Sequence, residues 1–293
     1  MTRPRAPFGM EYARIAVPDL AATIAFLEYH IGLQLEQHGD DFAFLRADIE
    51  HHSIELRAEP QRDKAETVAV GFSVESSDAL DELHDRITGA GHEVLPLAES
   101  MKGLCTQGFA VRDPNGLVVE LFTEFAEYAE PPLVELRPVD LVHPFLATDR
   151  YDESLSFYTK VLGFQPSDYV GDVTVFLRSE DRYHHSLALN RNKDFFVAHL
   201  CFMMKSFDHV MRARARAQYK QIPIASDLVN HSASWSIAYY MLDERHGPRF
   251  ELCDGHRVLT VEEHETTHRA RRMALDPRNI DVWRAAADDW ARF

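Results

Sequence analysis

The sequence is poor in cysteine, in basic residues and in long apolar runs, and each shortage excludes something. Its three cysteines, Cys105, Cys201 and Cys253, are widely spaced and odd in number. They offer no disulfide framework and no CxxC metal knuckle, so a reducing cytoplasm is expected. No stretch approaches the ~20 apolar residues of a membrane helix. Residues 1–10 carry two Arg and two Pro without an apolar run, so no signal peptide is expected. Basic residues number 31 against 47 acidic ones, a net charge of −16, which argues against nucleic acid or anionic membrane as partner. What remains is an ordinary soluble composition, 45% hydrophobic and 27% charged. With 293 residues the chain can build one large domain or two modest ones. Histidine is abundant: there are 16, ten of them from His143 onward.

The chain repeats itself. Residues 22–34 lie over residues 153–165, with Phe26 on Phe157 and Gly32 on Gly163. His51-His52-Ser53 corresponds to His184-His185-Ser186, Val70 to His199, and Glu120-Leu121 to Glu251-Leu252. Each copy reads as a short strand (12–17; 139–147) running into a helix with apolar spacing of three and four, closed by glycine. Three strand-like runs follow: 41–46, 53–57 and 67–75 in the first copy, and 173–178, 185–190 and 196–204 in the second. A second helix opens behind Ser76 or Ser206, each suited to an N-cap. The expected fold is therefore α+β, with four βαβββ modules in two domains, 1–130 and 131–293. Residues 124–138, with three prolines and four acids, read as the linker. This arrangement resembles the vicinal oxygen chelate, or glyoxalase-like, fold.

The repeat supplies an internal control. Where the second copy has His143, His199 and Glu251, the first has Tyr12, Val70 and Glu120, so only the second copy holds a full ligand set. Two imidazoles and a carboxylate in apolar strands are costly unless paired or metallated. Three of them converging from separate strands form a facial triad with open positions, which suits non-haem Fe(II).

With these residues, the run Asn230-His231, Tyr239-Tyr240, Asp243 and Glu251 resembles the type I extradiol ring-cleaving dioxygenases, similar to the biphenyl-2,3-diol and catechol 2,3-dioxygenases. The resemblance extends to about Gly255. It departs at Glu244, where the family has proline, and at Tyr239, where it has an aliphatic residue. The resemblance implies a homo-oligomeric enzyme that opens a catechol with O2, and Fe(II), with Mn(II) also accepted, on His143, His199 and Glu251. It further implies that His185 is the acid–base residue and that His231 and Tyr240 orient the substrate oxygens. Three alternatives stay open: a hydroquinone-cleaving relative, another metalloenzyme of this superfamily, and a non-catalytic binding protein of the same fold.

The remaining histidines read as background. His184 faces away from His185 and, with His209, is expected to be structural. His51 and His52 are expected to be remnants or surface residues, and His246, His256, His264 and His268 to be solvated. Trp235 and Phe195 are candidates for the pocket wall. In the tail, Asp276-Pro277 reads as the start of a helix carrying Trp283 and Trp290, which pack on the domain or a neighbouring subunit.

Overall fold

A computed structural model describes residues 5–283. The first half runs β1 (Met10–Val17), α1 (Leu20–Phe26), β2 (Gln34–His38), β3 (Phe42–Arg46), β4 (Ile54–Ala58), β5 (Glu66–Ser73), α2 (Ser77–Gly89), β6 (Val94–Leu95), β7 (Gln107–Arg112) and β8 (Val118–Thr123). The second runs β9 (Pro138–Thr148), α3 (Tyr151–Ser156), β10 (Gln165–Val170), β11 (Thr174–Arg178), β12 (Leu187–Arg191), β13 (Phe196–Met204), α4 (Phe207–Tyr219), β14 (Ile224–Asn230), β15 (Ile237–Met241), β16 (Arg249–Asp254) and β17 (Arg271–Met273). The first sheet has the order β2-β3-β4-β1-β5-β8-β7-β6. The second, β14-β15-β16-β13-β9-β12-β11-β10-β17, is the same order read backwards, with one strand added at the edge. Each sheet is thus two βαβββ modules joined at an antiparallel seam, β1 with β5 and β9 with β13.

The local signals act as the sequence suggests. Ser76 and Ser206 accept from the backbone N–H three residues on, capping α2 and α4. Gly32 and Gly163 each follow the first helix of their half at φ 89°, a left-handed position. A Cβ on Gly32 would stand 2.1 Å from the Leu136 carbonyl oxygen, so this glycine also admits the linker.

Strand alternation divides each sheet into a helix face and a cleft face. On β16, Phe250 and Leu252 join the main apolar cluster, which runs through both halves by way of Ile15, Phe72, Leu146 and Phe202. Cys253 instead joins a small separate cluster with Val142, Cys201 and Ala238.

The halves meet along a seam of backbone and acid groups. Asp181 N–H donates to the Phe8 carbonyl at 2.8 Å, and the Thr23 hydroxyl meets His246 Nδ1 at 3.0 Å. Burial raises Glu11 to about 7, with Asp140 adding to the effect and a Ser73 hydrogen bond opposing it. Burial likewise raises Asp140 to about 6 against a hydrogen bond from Tyr183, and Asp181 to about 7 against those from Ser186. A carboxyl group raised on folding favours the folded state while protonated. Its contribution is whole below pH ~4 and is lost as pH rises through 6–7. The urea midpoint should therefore fall between pH 5 and pH 8, and Asp140→Asn should flatten that slope. An equal slope in the variant contradicts the assignment.

The tail departs from expectation. It adds β17 parallel to β10. The segment after Asp276 makes one short turn, Pro277–Asn279, and is helical again at residues 282–283, beyond which the expected helix lies outside the described residues. Trp283 is 40% exposed, and Trp290 lies outside the described residues.

Candidate metal centre

Register brings three donors together. Cys201 on β13 pairs with His143 on β9 and with Glu251 on β16, so both leave the sheet on its cleft face. His199, two residues before Cys201, leaves on the same face. His199 Nε2 is 3.1 Å from Glu251 Oε2 and 3.3 Å from His143 Nε2, and the remaining edge, His143 to Glu251, is 3.6 Å. Metal–ligand bonds of about 2.1 Å at right angles separate neighbouring donors by roughly 3 Å, close to these spacings.

The charge state supports the same reading. Burial alone would raise Glu251, but hydrogen bonds from His143, His199 and His231 hold it well below the usual carboxylate range. Burial lowers His143 to about 4 despite the Glu251 carboxylate beside it. At neutral pH this is an ionised, almost fully buried carboxylate whose ion-pair partners among the described residues are all imidazoles, with no lysine or arginine. An uncompensated buried charge is costly. A divalent cation supplies the missing charge, and the donor set fits iron, manganese and similar metals.

The first half shows the other solution. Its Glu120 carboxylate meets the Tyr12 hydroxyl and the Arg14 guanidinium, the latter at 2.9 Å, and Arg14 also binds Glu55 at 2.7 Å. Arg14 stands where the second half has Phe145, and Gly71 stands where it has Cys201. A Cβ on Gly71 would lie 2.2 Å from the Tyr12 ring, so glycine makes room for the tyrosine. In this half an internal cation sits beside the carboxylate that, in the other half, faces only imidazoles among the described residues. The register also corrects the sequence alignment. Gly71 pairs with Tyr12 and Glu120 as Cys201 does with His143 and Glu251, so the counterpart of His199 is Ala69, not Val70.

A cavity of about 390 Å³ opens over the donors. His185 lines it, buried, its ring 4.1 Å from that of His143 and 4.7 Å from Phe176. Burial, then His143 and His256, hold His185 well below its usual value, so it is a neutral imidazole. His184 is also buried, with Nε2 2.9 Å from Asp168 and Nδ1 3.1 Å from His185 Nδ1. β12 starts only at Leu187, so the expected strand alternation does not set the two histidines on opposite faces. His231 and Tyr240 line the cavity as a hydrogen-bonded pair, Nε2 to OH 2.8 Å, and His231 lies 3.4 Å from Glu251.

Several expectations fail here. His256 is not solvated: it is 5% exposed, its ring 4.6 Å from His185 and 5.5 Å from His143, and both its nitrogens lack a hydrogen-bond partner. His143, His185 and His256 form a second group able to hold a metal. His246 and His264 are buried too, as the turn and tail fold back on the seam. His52 is fully buried against Tyr12 and Phe44, not on the surface. Trp235 is 59% exposed beneath Arg257, and Phe195 lines a separate groove between the halves. The cavity wall is instead Phe145, Phe176, Val173 and, from the tail, Leu275 and Ile280. The Phe145 site was legible by alternation from His143. The tail residues were not, because their contact depends on β17 docking.

Comparison with known proteins agrees with the repeat. The sequence matches the Glyoxalase/Bleomycin resistance protein/Dioxygenase superfamily twice, over residues 9–121 and 140–252. It is 30% identical over 258 residues to biphenyl-2,3-diol 1,2-dioxygenase of Paraburkholderia xenovorans strain LB400, covering 79% of this chain and 83% of that protein. Among solved structures, the fold is similar to homoprotocatechuate 2,3-dioxygenase from Arthrobacter globiformis, at a TM-score of 0.83 and 19% identity, covering 97% of this chain and 89% of that one. It is similar also to an Mn(II)-bound glyoxalase from Novosphingobium aromaticivorans, at 0.82 and 24%, covering 95% and 91%. Matched in both halves, the chain belongs to the Glyoxalase/Bleomycin resistance protein/Dioxygenase superfamily.

Proposed function

We propose that this chain opens the ring of a catechol beside its two hydroxyls, putting both atoms of O2 into the product, with Fe(II) held by His143, His199 and Glu251. The chain is an extradiol dioxygenase, and its relative at 30% identity is named for that reaction on biphenyl-2,3-diol. The observation that carries the metal assignment is the convergence of three donor atoms within 3.6 Å of one another, one of them a carboxylate with no lysine or arginine partner among the described residues. We assign residues 1–130 to the metal-free half and 131–293 to the catalytic one. A site shared between the halves is disfavoured, because Arg14 already neutralises Glu120 in the first. The three free thiols, with Cys201 and Cys253 sulfurs 3.4 Å apart, suit a reducing compartment such as the cytoplasm.

Fe(II), when bound, supplies a chelation point for both catechol oxygens and the means of reducing O2. The chain's own residues do the rest. Phe145 and Phe176, on the cavity wall, flank the aromatic ring. His185, neutral and on the cavity wall, takes a proton from a catechol hydroxyl and later returns it. The Tyr240–His231 pair directs a hydrogen bond to the substrate oxygens.

The test is anaerobic reconstitution with Fe(II), followed by catechol, 3-methylcatechol, 2,3-dihydroxybiphenyl and homoprotocatechuate in labelled O2. At least one should give a yellow ring-opened product carrying both labelled atoms. A muconate, cut between the hydroxyls, or turnover of hydroquinones alone, would overturn the reading.

A further inference from the structure

We propose that Arg249 selects a catechol bearing a carboxylate, attached to the ring directly or through one methylene. This rests on the catechol reading above and goes beyond it by naming the substituent.

Arg249 opens β16 two residues before Glu251, so it leaves the sheet on the cleft face, in register with His199 on the neighbouring strand. It lines the cavity over the metal donors. Apart from Glu251 and the histidines, it is the one charged side chain on that wall among the described residues. The rest is apolar or uncharged, with Phe145, Phe176 and Val173 on the sheet and Leu275 and Ile280 from the tail.

Its guanidinium is also unengaged. Other arginines that line the two clefts or the sheet edge are tied down: Arg14 to Glu55 and Glu120, Arg46 to Glu36, Arg271 to Asp168. No carboxylate among the described residues lies within 4.0 Å of Arg249. A planar fork of donors without a partner, at the edge of an apolar cavity, matches a carboxylate with two parallel hydrogen bonds.

Length follows from the neighbouring groove, which shares Ala198 and Arg249 with the cavity. Beyond Arg249 that groove presents three acids, Glu66, Asp194 and Glu244, against a single cation, Lys64. A long anionic arm would run into these acids, whereas a short one stops at the arginine. Arg249 is exposed, so water and salt weaken the contact, and a preference of about ten- to hundred-fold is expected.

The experiment compares 3,4-dihydroxybenzoate and 3,4-dihydroxyphenylacetate with 4-methylcatechol on the full chain loaded with Fe(II). It reads kcat/KM in air and Kd anaerobically. The wild type should favour a carboxylated catechol at least tenfold in Kd. Arg249→Gln should bring that ratio close to one, and Arg249→Lys should keep part of it. Thermal melting of both variants checks that they fold. If neutral catechols are opened and Arg249→Gln leaves the ratio unchanged, this proposal fails and the ring-cleavage reading stands. If no catechol is opened but carboxylated ones bind with an Arg249-dependent preference, the opposite holds. Equal binding of charged and neutral catechols to the wild type also overturns it.

Discussion

Replacing His199 by alanine is expected to cut affinity for Fe(II) or Mn(II) by ~10²-fold or more, since losing even an outer hydrogen-bond partner of a ligand costs ~10–100-fold. The wild type should bind about one divalent metal per chain. His199 stands 3.1 Å from Glu251 and 3.3 Å from His143, so its removal leaves one imidazole and one carboxylate in the cradle. A ligand that binds only the folded state at a hundred times its Kd adds ~2.7 kcal/mol of stability, so the wild type should melt higher with metal and His199→Ala should not. Two comparisons make the test specific. Glu120→Gln, in the first half, should keep the metal, because Arg14 and not an ion balances that carboxylate. His256→Ala should also keep it. The buried group of His143, His185 and His256 is one competing cradle, and it predicts the reverse: metal lost with His256 and kept without His199. Metal analysis of the three purified variants decides between them.

The fold was legible because the chain carries it twice. Glycines at 32 and 163, serine caps at 76 and 206 and matched strand runs are local features, and two copies of each make chance agreement improbable. Alternation along β13 and β16 was likewise legible, and it sets His199 and Glu251 on one face. Tertiary contact was not legible. A histidine in a turn reads as solvated until something packs over it, and His256 and His246 are buried only because the turn after β16 and the loop before it fold onto the cleft and the seam. The one-residue slip between Val70 and Ala69 has a similar origin. In an apolar strand neighbouring residues look alike, and only pairing with Tyr12 and Glu120 settles which faces the cleft. The plug of the first half was hidden for another reason. Arg14 corresponds to a phenylalanine, and a lone arginine in a strand does not announce that it neutralises carboxylates 41 and 106 residues away.

Replacing His185 by glutamine is expected to lower turnover by ~10²–10⁴-fold, the usual contribution of a positioned proton-transfer group, while leaving metal content near that of the wild type. Both halves of that expectation come from geometry. His185 lines the cavity with its ring on Phe176, so it can meet a substrate hydroxyl, yet it lies outside the cluster formed by His143, His199 and Glu251. Glutamine keeps a polar side chain of similar reach but cannot exchange a proton near neutral pH. His184 is the control, because its Nε2 is turned to Asp168, although its Nδ1 meets His185 Nδ1 at 3.1 Å. It is fully buried, 2.9 Å from Asp168, which Arg271 also holds. His184→Gln should therefore cost on the order of 1–3 kcal/mol of stability, as a broken buried hydrogen bond does. Its loss of rate per folded molecule should be smaller than that of His185→Gln, because it removes a partner of His185 and not the proton carrier. If the tail strand bearing Arg271 loosens as well, that variant should show raised KM before lowered kcat, because Leu275 follows β17 and walls the cavity. A His185→Gln enzyme with full metal and near-normal turnover on its best catechol removes His185 from the chemistry. The same result with a rate defect in His184→Gln would move the proton-transfer role one residue along the chain.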